Sequence, residues 1–320
     1  MPEHPTQRVT RLAPSPTGAL HLGNARTFLV NWALARKRGW HVVMRVEDLD
    51  GPRIRPGTET QVLDLLGWLG LDWDDGPIRQ SDDLTPYRAA MGTLASIAGA
   101  FPCSLSRKEI EAAASAPQEG VGENRFPREL RPPLAPRAFD DESINWRFVC
   151  PERAIAFDDA FAGTQEHTPA GSVGDFVIWT QRGEPSYQLA VVVDDARQGV
   201  NEIVRGDDLL DSAARQILLY QALSLAPIPT YTHLPLIRGE DGRRLAKRHG
   251  DTRLVRYRQT GVGPERVVGL LAAWSGVLPR RSPEPMTAEE FRDRFDLRTM
   301  SPDPVVFDQE DERWLTESAS

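Results

Sequence analysis

The first 46 residues switch hydrophobic period twice, and this restricts the fold more than any other feature of the chain. Arg8 to Pro14 (RVTRLAP) alternates as a short strand does. Asn24 to Arg38 then carries Phe28, Leu29, Trp32 and Ala35 toward one side, with Arg36, Lys37 and Arg38 in its last turn. That pattern predicts a helix, which Gly39 ends. His41 to Val46 (HVVMRV) predicts a second strand. Parallel strands need a crossover between them, so a strand–helix–strand unit at the start points to a parallel α/β sheet.

The remaining pattern extends this reading. Thr58-Glu-Thr-Gln61 has the form of a capping box, and Val62, Leu65, Leu66 and Leu69 follow at helical spacing. A further helix is predicted from Asp83 to Ala98. Residues 101–170 read as an insertion with little regular structure in its first half, because 116–136 is rich in Pro, Gly and Arg. Strands are predicted at Asp175–Thr180, Tyr187–Val193 and Glu202–Arg205, and a helix at Asp211–Leu223. Val191 to Val193 is uniformly apolar, as a strand covered on both faces would be. After Asp251 the chain turns helical, with Pro264 in a first turn, Val267, Val268, Leu271 and Trp274 at helical spacing, and a capping box at Thr287-Ala-Glu-Glu290. The expected organisation is 1–100 and 171–250 as two halves of one catalytic domain, 101–170 as an insertion subdomain, and 251–320 as a helical C-terminal extension.

Composition narrows the function classes. Hydrophobic residues are 40% and charged residues 26% of the 320, the balance of a folded protein. The net charge of −8 excludes a global positive field that would coat nucleic acid, but leaves room for a local basic groove. The longest mainly apolar stretch, Val267 to Val277, is too short to cross a bilayer, and Met1 to Arg11 has no apolar signal core. Two cysteines, Cys103 and Cys150, cannot build a disulfide scaffold, so a reducing cytoplasm is expected. Lysine occurs only at Lys37, Lys108 and Lys247, and every other basic residue is arginine.

Two segments carry chemistry. Pro14-Ser-Pro-Thr-Gly-Ala-Leu-His-Leu-Gly-Asn24 joins the first strand to the first helix. A helix N-terminus offers free N–H groups to a phosphate, Gly18 and Gly23 allow close backbone approach, and His21 adds an imidazole. More than 200 residues later comes Arg243-Arg-Leu-Ala-Lys-Arg-His-Gly-Asp251, which holds one of the three lysines. A lysine in such a loop can follow charge developing on a transferring phosphoryl group. Taken singly, the first is an ordinary Pro/Gly turn and the second a solvated basic loop.

Together they resemble the paired signatures of class I aminoacyl-tRNA synthetases, the His-x-Gly-His-type motif and the Lys-Met-Ser-Lys-Ser-type loop. Arg11–Gly18 (RLAPSPTG), Arg45–Asp50 (RVEDLD), Tyr187–Asp195 (YQLAVVVDD) and Glu202–Leu210 (EIVRGDDLL) are similar to the glutamyl branch, and the resemblance runs in order over residues 8–250. It implies a Rossmann-type catalytic fold and a glutamate site of Arg11, Leu12, Ala13, Pro14, Ser15, Glu47, Tyr187 and Arg205. Glu47 would hold the ammonium, and an arginine can grip a carboxylate bidentately. It implies an ATP site of His21, Gly23, Asn24, Leu245 and Lys247, in which His21, Asn24 and Lys247 serve the chemistry. Magnesium is expected on the triphosphate.

Within the branch, about 70 residues after Gly250 are too few for the anticodon-binding region of full-length glutamyl enzymes. Val191 stands where those enzymes usually carry asparagine. Both features, with the Glu47–Asp50 run, resemble the glutamyl-queuosine tRNA(Asp) synthetases. That family places glutamate on queuosine in the tRNA(Asp) anticodon loop. The implied partners are queuosine-containing tRNA(Asp), L-glutamate and ATP, with no membrane, and the family habit is a monomer. The family commonly holds a zinc with three Cys and a Tyr. Here Leu105 follows Cys103 where a second Cys would stand, so zinc is not expected. The signature loop also departs from the pattern, with Ala246 for its usual serine and Arg248 after the lysine. Phe295-Asp-Leu and Val306-Phe-Asp resemble the lead into an anticodon domain. That keeps open a shortened glutamyl-tRNA synthetase acting on tRNA 3′ ends. An alternative of a different class is a non-catalytic adenylate- or RNA-binding paralogue, against which the retention of Glu47, Tyr187, Arg205 and Lys247 together argues.

Overall fold

A computed structural model describes residues 7–49, 51, 54–106, 108–110, 125–243, 245 and 251–317. The opening unit forms as its periodicity predicts. β1 (Val9–Leu12) leads to α1 (Leu22–Arg38), and β2 (His41–Val46) returns parallel to β1, with Val9 opposite His41 and Leu12 opposite Met44. α1 ends where Gly39 takes a left-handed φ of 67° and donates its N–H back to Ala35, while three basic side chains face the negative helix end. α2 (Thr58–Trp68) carries the chain to β3 (Asp75–Arg79), parallel to β2. Its capping box does not form. The N-cap is Gly57, at a φ of 79°, so Thr58 already lies inside the helix and its hydroxyl makes no cap hydrogen bond. α3 (Thr85–Ser96) is shorter than expected at both ends.

The expected insertion contributes to two sheets. β4 (Ala100–Cys103) and β5 (Asn145–Phe148) pair antiparallel, and β6 (Ile155–Asp159) and β7 (Gly163–His167) form a hairpin. After the short α4 (Pro169–Ser172), β8 (Val177–Thr180) pairs with β5, and β9 (Glu184–Pro185) pairs with β8. The sheet β4-β5-β8-β9 therefore crosses residue 170. Its centre is Trp146 opposite Trp179, with Phe139 set edge-on to both at 5.2 and 5.0 Å. Cys103 sits in a small apolar cluster with Phe101, Ile110 and Phe126, against which Leu105 packs. Among the described residues, no group of three His, Cys, Asp or Glu side chains is placed to hold a metal ion.

The next segment corrects the sequence reading. Tyr187–Val193 is helical, as the start of α5 (Tyr187–Arg197). Leu189 to Val193 are all buried, so the helix is apolar nearly all round where it crosses the core. An apolar run of that kind has no periodicity to separate strand from helix, and the three valines favoured the wrong choice. β10 (Glu202–Gly206), α6 (Leu210–Ala222) and β11 (Thr230–Leu234) complete a second crossover, with β10 and β11 parallel. β11 meets β6 through the pair Tyr231 and Asp159.

Asn201 joins the two halves. Its N–H donates to the Val9 carbonyl at 3.0 Å, its side-chain oxygen accepts the Val9 N–H at 2.9 Å, and its amide nitrogen donates to the Gln7 carbonyl at 3.1 Å. The parallel strands thus run β3-β2-β1-β10-β11, with chain order reversing between β1 and β10. Ligands of open α/β sheets bind at the carboxyl ends of strands at such a switch point.

The C-terminal region adds β12 (Ile237–Arg238), α7 (Leu254–Gln259), α8 (Pro264–Trp274), α9 (Ala288–Arg294), β13 (Val305–Val306) and α10 (Gln309–Thr316). Pro264 is in the first turn of α8, and the Thr287 capping box forms as its sequence predicts. α9 packs against α1, where Lys37 donates to the Phe295 carbonyl at 2.7 Å. No helix among the described residues is long and apolar enough to cross a membrane.

Close packing of α8 gives a paired test. A Cβ at Gly269 would fall on the Glu284 carbonyl, whereas at Gly92 in α3 it meets open space. Gly269→Ala should cost about 1–3 kcal/mol by overpacking, and Gly92→Ala should add about 0.5–1 kcal/mol. Urea unfolding midpoints of the two variants check the opposite signs.

Candidate active site

A cavity of about 510 Å³ opens at the switch point. Its floor is the loop from β1 to α1. The Pro14 carbonyl accepts the Glu47 N–H at 3.0 Å, which ties this loop to the end of β2. His21 is the N-cap of α1, so the cavity faces the free amides of that helix. A second strand of chain seals this end. Leu22 N–H donates to the Thr252 carbonyl at 3.1 Å, Leu254 N–H donates to the Leu20 carbonyl at 2.9 Å, and His21 and Arg253 form an antiparallel bridge.

The cavity wall includes Arg11, Ala13, Pro14, Ser15, His21, Gly23, Asn24, Glu47, Tyr187 and Arg205. Residues from four separated segments therefore meet in one cleft. Leu12 and Leu245 do not line it. Both are buried in the main core, and Leu245 donates its N–H to the Ile237 carbonyl at 2.9 Å. A β-strand explains Leu12, since neighbours on a strand face opposite ways and Arg11 takes the cavity side. Lys247, like Asp50, Ala246 and Arg248, lies outside the described residues.

The electrostatics beneath the cavity rest on residues that the sequence reading left without roles. Arg45 is wholly buried. It donates to Asp195 at 2.6 Å, Gln198 at 3.0 Å and Glu47 at 3.1 Å. Burial opposes its charge, yet Asp195, Glu47 and Asp194 outweigh burial and raise its pKa above the ordinary arginine value. Asp195 also lies 3.5 Å from Nε of Arg11, itself 5% exposed. For Glu47, burial dominates and lifts the carboxyl above its usual range, although Arg45 and Arg11 pull it back. An ammonium arriving beside Glu47 would supply the missing positive charge. Local desolvation at the cavity wall likewise pushes the Tyr187 hydroxyl up, although the side chain as a whole is exposed, so it stays a neutral phenol. The i, i+2 spacing of Arg45, on β2, and Glu47, just past its end, was the available signal for Arg45.

Arg205 is held from behind. Nε donates to Nε2 of His233 at 2.9 Å, Nη1 to Gln216 at 2.9 Å and Nη2 to the Leu209 carbonyl at 3.2 Å. A guanidinium only donates, so His233 Nε2 is the acceptor and its proton sits on Nδ1. Nδ1 in turn faces Asp159 at 2.6 Å. Burial, helped by the Arg205 charge, keeps the imidazole below its ordinary pKa against the pull of Asp159. Burial would raise Asp159, but donors from His233, Ala162 and Phe161 prevail and hold it ionised. This arrangement leaves one N–H on each terminal nitrogen of Arg205 for a carboxylate in the cavity.

Residues 7–314 match the family of class I tRNA synthetases (E and Q), catalytic domain. A glutamyl-Q tRNA(Asp) synthetase of Symbiobacterium thermophilum is 46% identical over 92% of this chain and 94% of its own length. A glutamyl-Q tRNA(Asp) synthetase of Rhodopirellula baltica is 41% identical over 94% of this chain and 96% of its own. The solved glutamate tRNA ligase of Elizabethkingia meningosepticum, crystallised with its amino acid, superposes with a TM-score of 0.78 at 27% identity. The match covers 97% of this chain and 68% of that one. With the family match spanning nearly its whole length, and with relatives 46% and 41% identical, the chain belongs to the class I tRNA synthetase (E and Q) catalytic-domain family.

Proposed function

We propose that the chain activates L-glutamate with ATP and transfers the glutamyl group to queuosine in the anticodon loop of tRNA(Asp). The observation that carries the activation step is the cleft itself. A buried arginine with two spare N–H groups, Arg205, shares one cavity with a carboxylate, Glu47, and with the amide end of α1. An amino acid with a second carboxylate and a nucleotide polyphosphate fit those ends respectively.

Arg11 and Arg205 take the side-chain carboxylate of glutamate. A bidentate grip withdraws electron density, so it suits the carboxylate that does not react. Glu47 receives the ammonium. The free α-carboxylate attacks the α-phosphorus of ATP, and the bond to the bridging oxygen breaks. Pyrophosphate leaves with the electron pair, and a glutamyl adenylate remains. No proton must be moved by the protein, so positioning and donors carry the rate. His21, Gly23 and Asn24 at the start of α1 meet the nucleotide, and Lys247 is assigned to its phosphates. Magnesium enters on the triphosphate as part of the substrate. An RNA hydroxyl then displaces AMP from the adenylate. For the acceptor, the support is the 46% and 41% identity to glutamyl-Q enzymes over nearly their whole length. Cytoplasmic action as a monomer completes the proposal, and the free, buried Cys103 and Cys150 are consistent with a reducing compartment.

Pyrophosphate exchange with glutamate and no tRNA tests activation, and an inert protein favours the non-catalytic paralogue. Labelled glutamate should appear on queuosine-containing tRNA(Asp) as a periodate-sensitive, alkali-labile adduct. Its appearance on the 3′ ends of tRNA(Glu) or tRNA(Gln) instead would replace the queuosine reading with that of a shortened charging enzyme.

Arg205→Lys loses the fork and should raise the glutamate KM about tenfold to a hundredfold, with the ATP KM nearly unchanged. Lys247→Ala should depress adenylate formation far more than glutamate binding, and equal loss of both would contradict its role.

His233 adds a pH dependence with a definite sign. Its pKa is lower folded than the ordinary value of about 6.5, so the unfolded chain binds the extra proton first. Stability from this group is complete above about pH 6.5 and falls as pH drops toward the lowered folded value. Protonation of the folded protein also removes the acceptor for Arg205, so the glutamate KM should rise only when pH reaches the lowered folded pKa, at the acidic edge of that window. A His233→Gln variant retains an acceptor at every pH and should lose both dependences, as urea melts and exchange kinetics between about pH 5 and 8 will show.

A further inference from the structure

The region after α9 grips the two walls of the nucleotide end of the cleft. One grip is β13, which pairs with β12, Val305 opposite Ile237 and Val306 opposite Arg238. The Phe307 N–H extends this pairing to the Arg238 carbonyl at 2.8 Å. Ile237 lines the cavity directly. The other grip is Glu312 on α10. One carboxylate oxygen accepts the hydroxyl of buried Tyr257 at 2.6 Å, and the other lies 2.7 Å from Nη1 of Arg256. Both partners belong to α7, whose leading residues Thr252 and Leu254 hydrogen bond to Leu22 and Leu20 on either side of His21.

α10 has a foundation of its own. Asp308 caps it, and Asp311 accepts from Trp274 Nε1 at 3.3 Å and from Arg280 at 2.5 and 2.7 Å. Trp314 donates to the Arg266 carbonyl at 3.0 Å, and the Arg266 guanidinium lies 4.4 Å from the centre of its ring. The helix is thus fixed to α8, and Glu312 projects from this fixed support onto α7. A displaced α7 would drag Thr252 and Leu254, and with them the turn that carries His21.

We propose that residues 305–316 act as a brace for the ATP half of the cleft, with Glu312 as its positioning residue. Glu312 touches no reacting atom. It sets the separation between the His21 turn and the β12 wall. The glutamate half is held independently, by Asp195, Arg45 and the His233 pair, so the brace acts on nucleotide alone. The proposal rests on the reading of this cleft as an ATP-dependent glutamate-activating site.

The test is pyrophosphate exchange by the full chain, with ATP and glutamate varied separately. Melting of the same proteins is followed with ATP alone and with glutamate alone. Glu312→Ala should raise the ATP KM about fivefold or more and lower kcat, leaving the glutamate KM within about twofold. Its melting should respond less to ATP and normally to glutamate. Glu312→Gln keeps an acceptor for Tyr257 and should recover part of the ATP response, and Tyr257→Phe should resemble Glu312→Ala in direction. Equal shifts of both KM values, or a wild-type response to ATP in Glu312→Ala, would overturn the brace. If the native chain exchanges no pyrophosphate, the activation reading fails, and the two ligand-dependent melting responses still decide whether Glu312 acts on nucleotide alone.

Discussion

Asp195 is the charge on which the cleft depends. It emerges from the last turns of α5 into the space between β1 and β2, where Arg45 lies 2.6 Å and Arg11 3.5 Å from one of its oxygens. Neither arginine has access to bulk water, and a lone guanidinium there would be strongly unfavourable. Breaking a buried pair by removing one member typically costs about 3–5 kcal/mol, since it strands the other charge. With Asp195 in place, Arg45 can spend a second nitrogen on Glu47 and Arg11 can present its outer face to the cavity. The three elements are tied together by this contact, which places Arg11 and Glu47 in the wall of one cavity.

The same logic explains why the two halves of the cleft differ. The half proposed for glutamate is made of charged side chains whose partners come from α5, β6 and β11. It is fixed before any substrate enters. The half proposed for the nucleotide is made of backbone amides, an imidazole and apolar wall residues such as Ile237 and Leu236, held by main-chain bonds and not by buried charge pairs. Preorganised charge discriminates between amino acids, whereas a pliant wall can follow a polyphosphate as its charge shifts in the reaction. The C-terminal helices limit that pliancy, which explains why a region remote in sequence packs so closely on α1 and α8.

Much of this was legible in the residues. The strand–helix–strand opening, the switch-point loop and the Thr287 and Pro264 helix starts follow from period and capping alone. The grouping of Ser15, His21, Glu47, Tyr187 and Arg205 in one cavity was implied only by the resemblance to the glutamyl branch, and not by period or capping. Other features were not. Tyr187–Val193 gave a strand signal because a helix buried on all sides and a strand buried on both faces present the same apolar run. The Thr58 box failed because Gly57 took the cap at a positive φ. Asp195, Asp159 and His233 carry no local signature, since each acquires its role from a partner 28 to 184 residues away: Arg45 and Arg11 for Asp195, His233 for Asp159, Arg205 for His233. Long-range charge pairing is a property of the fold, and no window of sequence contains it.

The arginine bias of the chain acquires a structural meaning from these pairs. Arg131 grips Asp175 with two nitrogens at 2.7 and 2.6 Å, Arg280 grips Asp311, and Arg36 spans Asp72 and Asp74. In each case a planar fork engages two acceptors, which an ammonium cannot match. Much of the basic charge is therefore paired with carboxylates of the same chain, some of it buried and some at the surface. A net charge of −8 on such a body means that a polyanion is not drawn in by the average field. An RNA would then have to be recognised through local cations, against repulsion from the acidic remainder of the surface. Repulsion over most of the surface and attraction at one place is a route to specificity, because it penalises every docking mode except the one that brings the acceptor to the adenylate.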